Sequence, residues 1–91
     1  MSSIAAIIVK IMPASPHSDL REIEKKAQHL MEKHGAKNIS FEIKEVAFGL
    51  KSIHMKLAID ENKGTDLVEN ELAKIPDISS VTIEDYRRAF G

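Results

Sequence analysis

Cysteine is absent from the 91-residue chain, which excludes disulfides and thiolate chemistry and leaves nothing that requires an oxidising compartment. Glycine is scarce, at four residues, and no two lie close together. A glycine-rich loop that cradles phosphate is therefore missing. A charge surplus is missing too: 13 Lys and Arg stand against 14 Asp and Glu, a formal net charge of −1. Binding to nucleic acid or to an anionic membrane draws on such a surplus. The longest apolar run, IAAIIV at 4–9, is too short to cross a bilayer. No basic segment precedes it and no cleavage site follows it, so it is not read as a signal peptide. A cytoplasmic protein is expected.

What is present is an ordinary globular composition, 43% hydrophobic and 30% charged. One domain over residues 1–91 is expected, and a chain of this size can bury roughly 60–65% of its unfolded surface in one core. Residues 4–12, IAAIIVKIM, are rich in β-branched side chains and run into Pro13, as a buried central strand does. Ala5, Ile7, Val9 and Ile11 share one of its faces. The segment 13–18, PASPHS, is a loop. Asp19 caps a helix, with Glu22 completing a capping-box pattern, and Leu20, Ile23, Ala27, Leu30 and Met31 form its apolar stripe. Gly35 ends it.

Residues 38–46 and 50–59 alternate between apolar and polar, which is the pattern of half-exposed strands. Ile39, Phe41 and Ile43 point inward from the first, and Ile53, Met55, Leu57 and Ile59 from the second. After the turn cluster DENKG at 60–64, Thr65 is the expected cap of a second helix over 65–75, with Val68, Leu72 and Ile75 as its stripe. A last strand over 80–86 turns Val81 and Ile83 inward. The order βαββαβ predicts an α+β, ferredoxin-like domain: a four-stranded antiparallel sheet with two helices on one face.

That fold serves many functions, so the residues have to decide. The four histidines, His17, His29, His34 and His54, have no pair at ligand spacing and read as solvated, so no metal or other cofactor is expected. The first and third strands carry no aromatic residue on which a base could stack, which disfavours RNA. An acyl-phosphate hydrolase needs an arginine in the loop after the first strand, and Arg21 already lies within the helix. No Ser/His/Asp set places a nucleophile on a tight turn. Covalent chemistry is not supported, and the reading is that of a non-enzyme.

One stretch resists a purely structural account. In EVAFGLKSIHM, 45–55, Phe48 stands at the bend between two strands, where Asn, Asp, Gly or Ser is normal. Gly49 follows and frees the backbone for a sharp turn. Lys44 and Lys51 place positive charge nearby. Either the ring folds under one end of the core, or it stands out as an apolar anchor for a partner. A small-ligand regulatory module, with Phe48 lining a pocket, is the alternative function for such a ring.

The segments KIMPASPHSDL (10–20), EVAFGLKSI (45–53), DENKGTDLVENEL (60–72) and VTIEDYRR (81–88) resemble the archaeal translation elongation factor 1-beta family. The likeness runs in order from about Ile4 to Arg88. VAFGLK is its most specific part; GTD and the MPASP loop support it. It extends to the exchange domain of the eukaryotic counterparts. The resemblance implies a guanine nucleotide exchange factor acting on elongation factor 1-alpha, the GTPase that carries aminoacyl-tRNA. It also implies that the aromatic of this motif, here Phe48, docks on the GTPase, with Ala47, Gly49 and Lys51 beside it. Two departures stand out. Where a proline often precedes the motif this chain has Glu45, and where eukaryotic relatives end in a functional lysine it reads AFG. Arg87 and Arg88 are the nearest cations to that position and complete the expected partner-binding set.

Overall fold

The computed structural model describes residues 3–89, the side chain of Ala89 excepted; the terminal Phe90 and Gly91 of the AFG sequence lie outside the described residues. Its elements are β1 (Ile4–Pro13), α1 (Leu20–Lys33), β2 (Lys37–Glu45), β3 (Lys51–Asp60), α2 (Gly64–Leu72) and β4 (Ile78–Ala89). The four strands form one sheet in the order β2-β3-β1-β4, every neighbouring pair antiparallel. This is the ferredoxin-like α+β architecture.

Alternation explains the layers. Ala5, Ile7, Val9 and Ile11 of β1 lie opposite Ile59, Leu57, Met55 and Ile53 of β3, and all eight are buried. Ile23, Ala27 and Met31 of α1 and Val68 and Leu72 of α2 join the same core, so both helices cover that one face. Complete burial of each large side chain contributes about 1.5–3 kcal/mol. The other face is open and carries Ile8, Lys10, His54 and Lys56.

Local chemistry sets the ends of the helices. The Glu22 N–H donates to Asp19 Oδ1 at 3.2 Å, as expected of the cap. The Glu22 carboxylate turns toward Lys26 Nζ, 3.7 Å away. Gly35 takes φ +87°, and the Ala36 N–H donates back to the Met31 carbonyl at 3.0 Å. The second helix departs from expectation: Thr65 lies inside it and caps nothing. Asp60 Oδ1 instead accepts from the Asn62 N–H at 2.9 Å, closing a 3₁₀ turn over Glu61–Lys63. Gly64, at φ +76°, then lets the chain pass from that turn into α2. The regular helix stops at Leu72, and Ile75 stays in the core from a following turn whose N–H donates to the Leu72 carbonyl.

Two further expectations change. Ile43 shares the inward register of β2 but is 40% exposed, because it lies at the loop end of an edge strand. Strand β4 is longer than 80–86 and bulged: Ile8 lies opposite Asp85, and Val9 opposite Ile83, which leaves Glu84 as the extra residue. Beyond the bulge the parity reverses. Tyr86 and Arg88 fall on the helix side and Arg87 on the open side.

His34 is not a freely solvated histidine. Its Nε2 lies 2.7 Å from Glu71 Oε1, joining the end of α1 to α2, and Lys74 contacts the other Glu71 oxygen. Hydrogen bonds from Lys74 first, and from His34 second, hold the Glu71 carboxyl below its ordinary range. Since the folded value is the lower one, the pairing stabilises fully above the ordinary glutamate range and is lost as pH falls through the folded value. Acid titration of melting temperature is expected to fall less steeply below about pH 4.5 in Glu71→Gln than in the parent; equal slopes would remove the pair from the acid response. Leu57→Ala, at a fully packed site, is expected to lower stability by about 2–5 kcal/mol in urea unfolding.

Candidate functional site

Strands β2 and β3 close on each other through the residues that contain Phe48. Glu45 and Lys51 are the last opposed strand pair. Beyond them the Val46 N–H donates to the Leu50 carbonyl at 2.7 Å, and the Leu50 N–H donates to the Ala47 carbonyl at 3.3 Å. Phe48 has φ 62° and ψ 35°, and Gly49 has φ +75°. Two successive left-handed residues inside such a bond make a type I′ turn, the hairpin turn that matches strand twist. Asn-Gly is the sequence favoured there. This chain places Phe where Asn would be.

That exchange works against the isolated fold twice. A non-glycine residue in the left-handed region, above all a bulky one, stores about 1–3 kcal/mol of strain. The ring is also 96% exposed, so it returns no burial energy to the monomer. The ring therefore stands outward and covers no part of the core. Val46, 42% exposed, and Ile43 extend the apolar surface at this end of the sheet. Val46 was not among the residues expected at the site. Its signal was its place within VAFGLK, directly before a turn, where inward and outward registers stop applying.

Gly49 has a narrower role. A Cβ built there meets nothing within 4 Å, so glycine is required for the sign of φ and not for space. Lys44 and Lys51 flank the turn and are exposed. Ala47, Phe48, Gly49 and Lys51 are thus brought together at one end of the molecule, whose longest dimension is 45 Å.

Arg87 and Arg88 are not brought to the same place. They lie opposite Ala6 and Ala5, at the start of β1. That end is about eight strand residues, or about 26 Å, from Lys51. Arg87 Nε is 3.0 Å from Asp85 Oδ2, and Arg88 Nε is 2.8 Å from Glu61 Oε2, an oxygen shielded from water. A cleft of about 680 Å³ opens at this far end among Lys33, His34, Lys37, Asp60 and Lys63. Local spacing does not show that His54 is held on both sides. Its Nε2 lies 2.8 Å from Ser52 Oγ and its Nδ1 lies 2.7 Å from Glu84 Oε1. A bulge in a distant strand is invisible in local spacing.

Phe48→Asn is expected to raise stability by about 0.5–1 kcal/mol in urea unfolding, by relieving the turn at no loss of core. A stability loss above that size would mean that the ring packs on its own domain.

Residues 6–89 match the family model described as the EF-1 guanine nucleotide exchange domain. Elongation factor 1-beta of Methanocella arvoryzae is 36% identical over 91 residues, 99% of this chain and 100% of the relative. That of Haloarcula marismortui is 36% identical over 89 residues, 97% of this chain and 99% of the relative. That of Methanocaldococcus jannaschii is 33% identical over 78 residues, 84% and 88% of the two chains. With the likeness spanning every element of the sheet and the Phe48 turn, the chain belongs to the elongation factor 1-beta family of guanine nucleotide exchange domains.

Proposed function

We propose that this protein promotes GDP release and GTP reloading on elongation factor 1-alpha during protein synthesis, with Phe48 as its principal anchor. Family membership supports the exchange activity and the kind of partner. The observation that carries the anchor is a strained, exposed aromatic on a rigid hairpin turn.

The mechanism is linkage between two binding equilibria. A factor that binds the nucleotide-free GTPase more tightly than the GDP form must weaken GDP binding by the same ratio. No bond in a substrate is made or broken, and only differential contact energy is needed. A buried aromatic hot spot supplies about 2 kcal/mol or more of such energy. Here the turn is already closed by the Val46–Leu50 and Ala47–Leu50 hydrogen bonds. Ordering a flexible loop costs about 1–2 kcal/mol per residue, and a preformed turn avoids much of that on docking. Lys44 and Lys51 bias the encounter toward an acidic partner surface. The reading places the protein in the cytoplasm with the translating ribosome; among the described residues no helix is long and apolar enough to cross a membrane.

The test is release of a fluorescent GDP analogue from elongation factor 1-alpha in excess GDP. The parent protein is expected to accelerate release, and Phe48→Ala to lose about 30-fold of that acceleration at sub-saturating concentration, the equivalent of about 2 kcal/mol. Full activity in Phe48→Ala would sink the role given to the ring. Binding to the GTPase without faster release would reduce the protein to a bridging subunit.

A further inference from the structure

We propose that Glu84, His54 and Ser52 form a hydrogen-bond relay across the open sheet face that positions the Phe48 turn and responds to the protonation of His54. The proposal rests on the exchange reading above and adds three positioning residues to it.

Ser52 is the one polar residue among the fully buried side chains described, at 1% exposure. It lies opposite Lys44, the residue two before the Val46 N–H that closes the turn. Its Oγ sits 2.8 Å from His54 Nε2 and 3.4 Å from the Lys44 carbonyl oxygen. The far ring nitrogen of His54 meets Glu84 Oε1 at 2.7 Å, and the His54 side chain is only 11% exposed. Glu84 is the bulge residue of β4. The bulge brings its carboxylate onto the open face, where it reaches across β1 to β3.

Counting hydrogens shows what the relay does. An ionised carboxylate only accepts, so Nδ1 of His54 carries a hydrogen toward Glu84. In the neutral ring Nε2 is then an acceptor and takes the single hydroxyl hydrogen of Ser52. The Lys44 carbonyl receives nothing from Ser52 in that state. When the ring is protonated, Nε2–H donates to Ser52 Oγ, and the hydroxyl turns its hydrogen to the Lys44 carbonyl. One proton therefore reverses the Ser52 bond, so that His54 donates to Glu84 on one side and, through the Ser52 hydroxyl, connects to the backbone carbonyl at the root of the turn on the other. Other charged groups also face His54: Lys10 opposite it on β1, Glu42 opposite it on β2, Lys56 two residues along β3, and Lys44 opposite Ser52.

The atoms occur in the order of a nucleophilic triad, but a different role follows from access. Ser52 Oγ is hidden, and its neighbours are a ring nitrogen and a backbone carbonyl, so no substrate carbon can approach it. The relay acts on the chain's own backbone.

The test follows the His54 ring nitrogens and the backbone amides of residues 45–50 by NMR in the isolated protein, across the range of about pH 5–8 in which histidines titrate. In the parent the amides are expected to shift with the midpoint of His54. In Ser52→Ala His54 still titrates but the amides no longer follow. In Glu84→Gln, a change at a 41%-exposed side chain, the amides are expected to keep the same midpoint as His54. In the GDP-release assay Ser52→Ala is expected to lose about threefold to fivefold of the stimulation at the acidic end and to match the parent near pH 8, as one switched hydrogen bond predicts. Amides that stay still while His54 titrates, or that move equally in Ser52→Ala, overturn the relay. Absence of stimulation by the parent overturns the exchange reading, and the NMR result still decides the relay by itself. If Ser52→Ala does not fold, the paired midpoints in Glu84→Gln carry the same decision.

Discussion

The pairing of β1 with β3 is the constraint on which everything else depends. Eight buried side chains face each other across that ladder in strict alternation, from Ala5 opposite Ile59 to Ile11 opposite Ile53. A slip by one residue would turn one of the two strands over, bringing either Lys10 or His54 and Lys56 toward the helices and exposing that strand's apolar set, so the register has no low-energy competitor. Once it is set, the directions of the flanking strands follow. β2 must return along β3 through a turn at Lys51, and β4 must run along the free edge of β1. The site inherits its place from this core, because the turn that carries Phe48 closes beside Ile53, the last buried pair of the ladder.

The same core explains how an unfavourable turn survives. Type I′ geometry suits the twist of the two strands, and the strands are held by the central ladder regardless of which residue occupies the turn. Phe48 therefore takes a backbone conformation that its side chain disfavours, and the stability of the domain offsets the strain. An exposed ring on a freely moving loop would sample many directions. This ring is fixed in direction by two backbone hydrogen bonds and by Gly49, whose φ few other residues adopt. Rigidity in the turn is thus supplied by backbone geometry, and the side chain is left free to be chosen for what it touches.

Most of the fold was legible because it is written in short-range periodicity. The inward sets of β1 and β3, the stripe Ile23, Ala27 and Met31, and the Asp19 and Gly35 ends all reappear in the structure. What was not legible depends on relations between distant residues. The bulge at Glu84 reverses the parity of β4, so Arg88 faces the helix side and Arg87 the open side, which no reading of SVTIEDY can show. Thr65 has the chemistry of a cap but lies inside α2, whose start carries no side-chain cap and follows a 3₁₀ turn closed by Asp60. Ile43 alternates correctly, yet its exposure depends on where the covering layer ends. His54 reads as solvated from its strand and is enclosed only because another strand carries a carboxylate to it. At Phe48 the family resemblance supplied a role, whereas residue chemistry alone left core and interface both open; exposure removes the core reading.

The two arginines expected to bind the partner, as the cations nearest the C-terminus, pose a different physical question. They sit about 26 Å from the turn along the sheet, a distance far beyond the reach of one side chain. A partner touched at both ends must therefore present two separated surfaces. The present contacts of the arginines also differ in what their release would involve. Arg87 pairs with Asp85 at the surface, with its side chain 79% exposed, and such a pair contributes little and exchanges readily with water. Arg88 faces a Glu61 oxygen that water does not reach, and withdrawing it would leave that charge uncompensated. Arg88, with a side chain 63% exposed, thus ties the end of β4 to the turn before α2, whereas both members of the Arg87 pair lie at the surface.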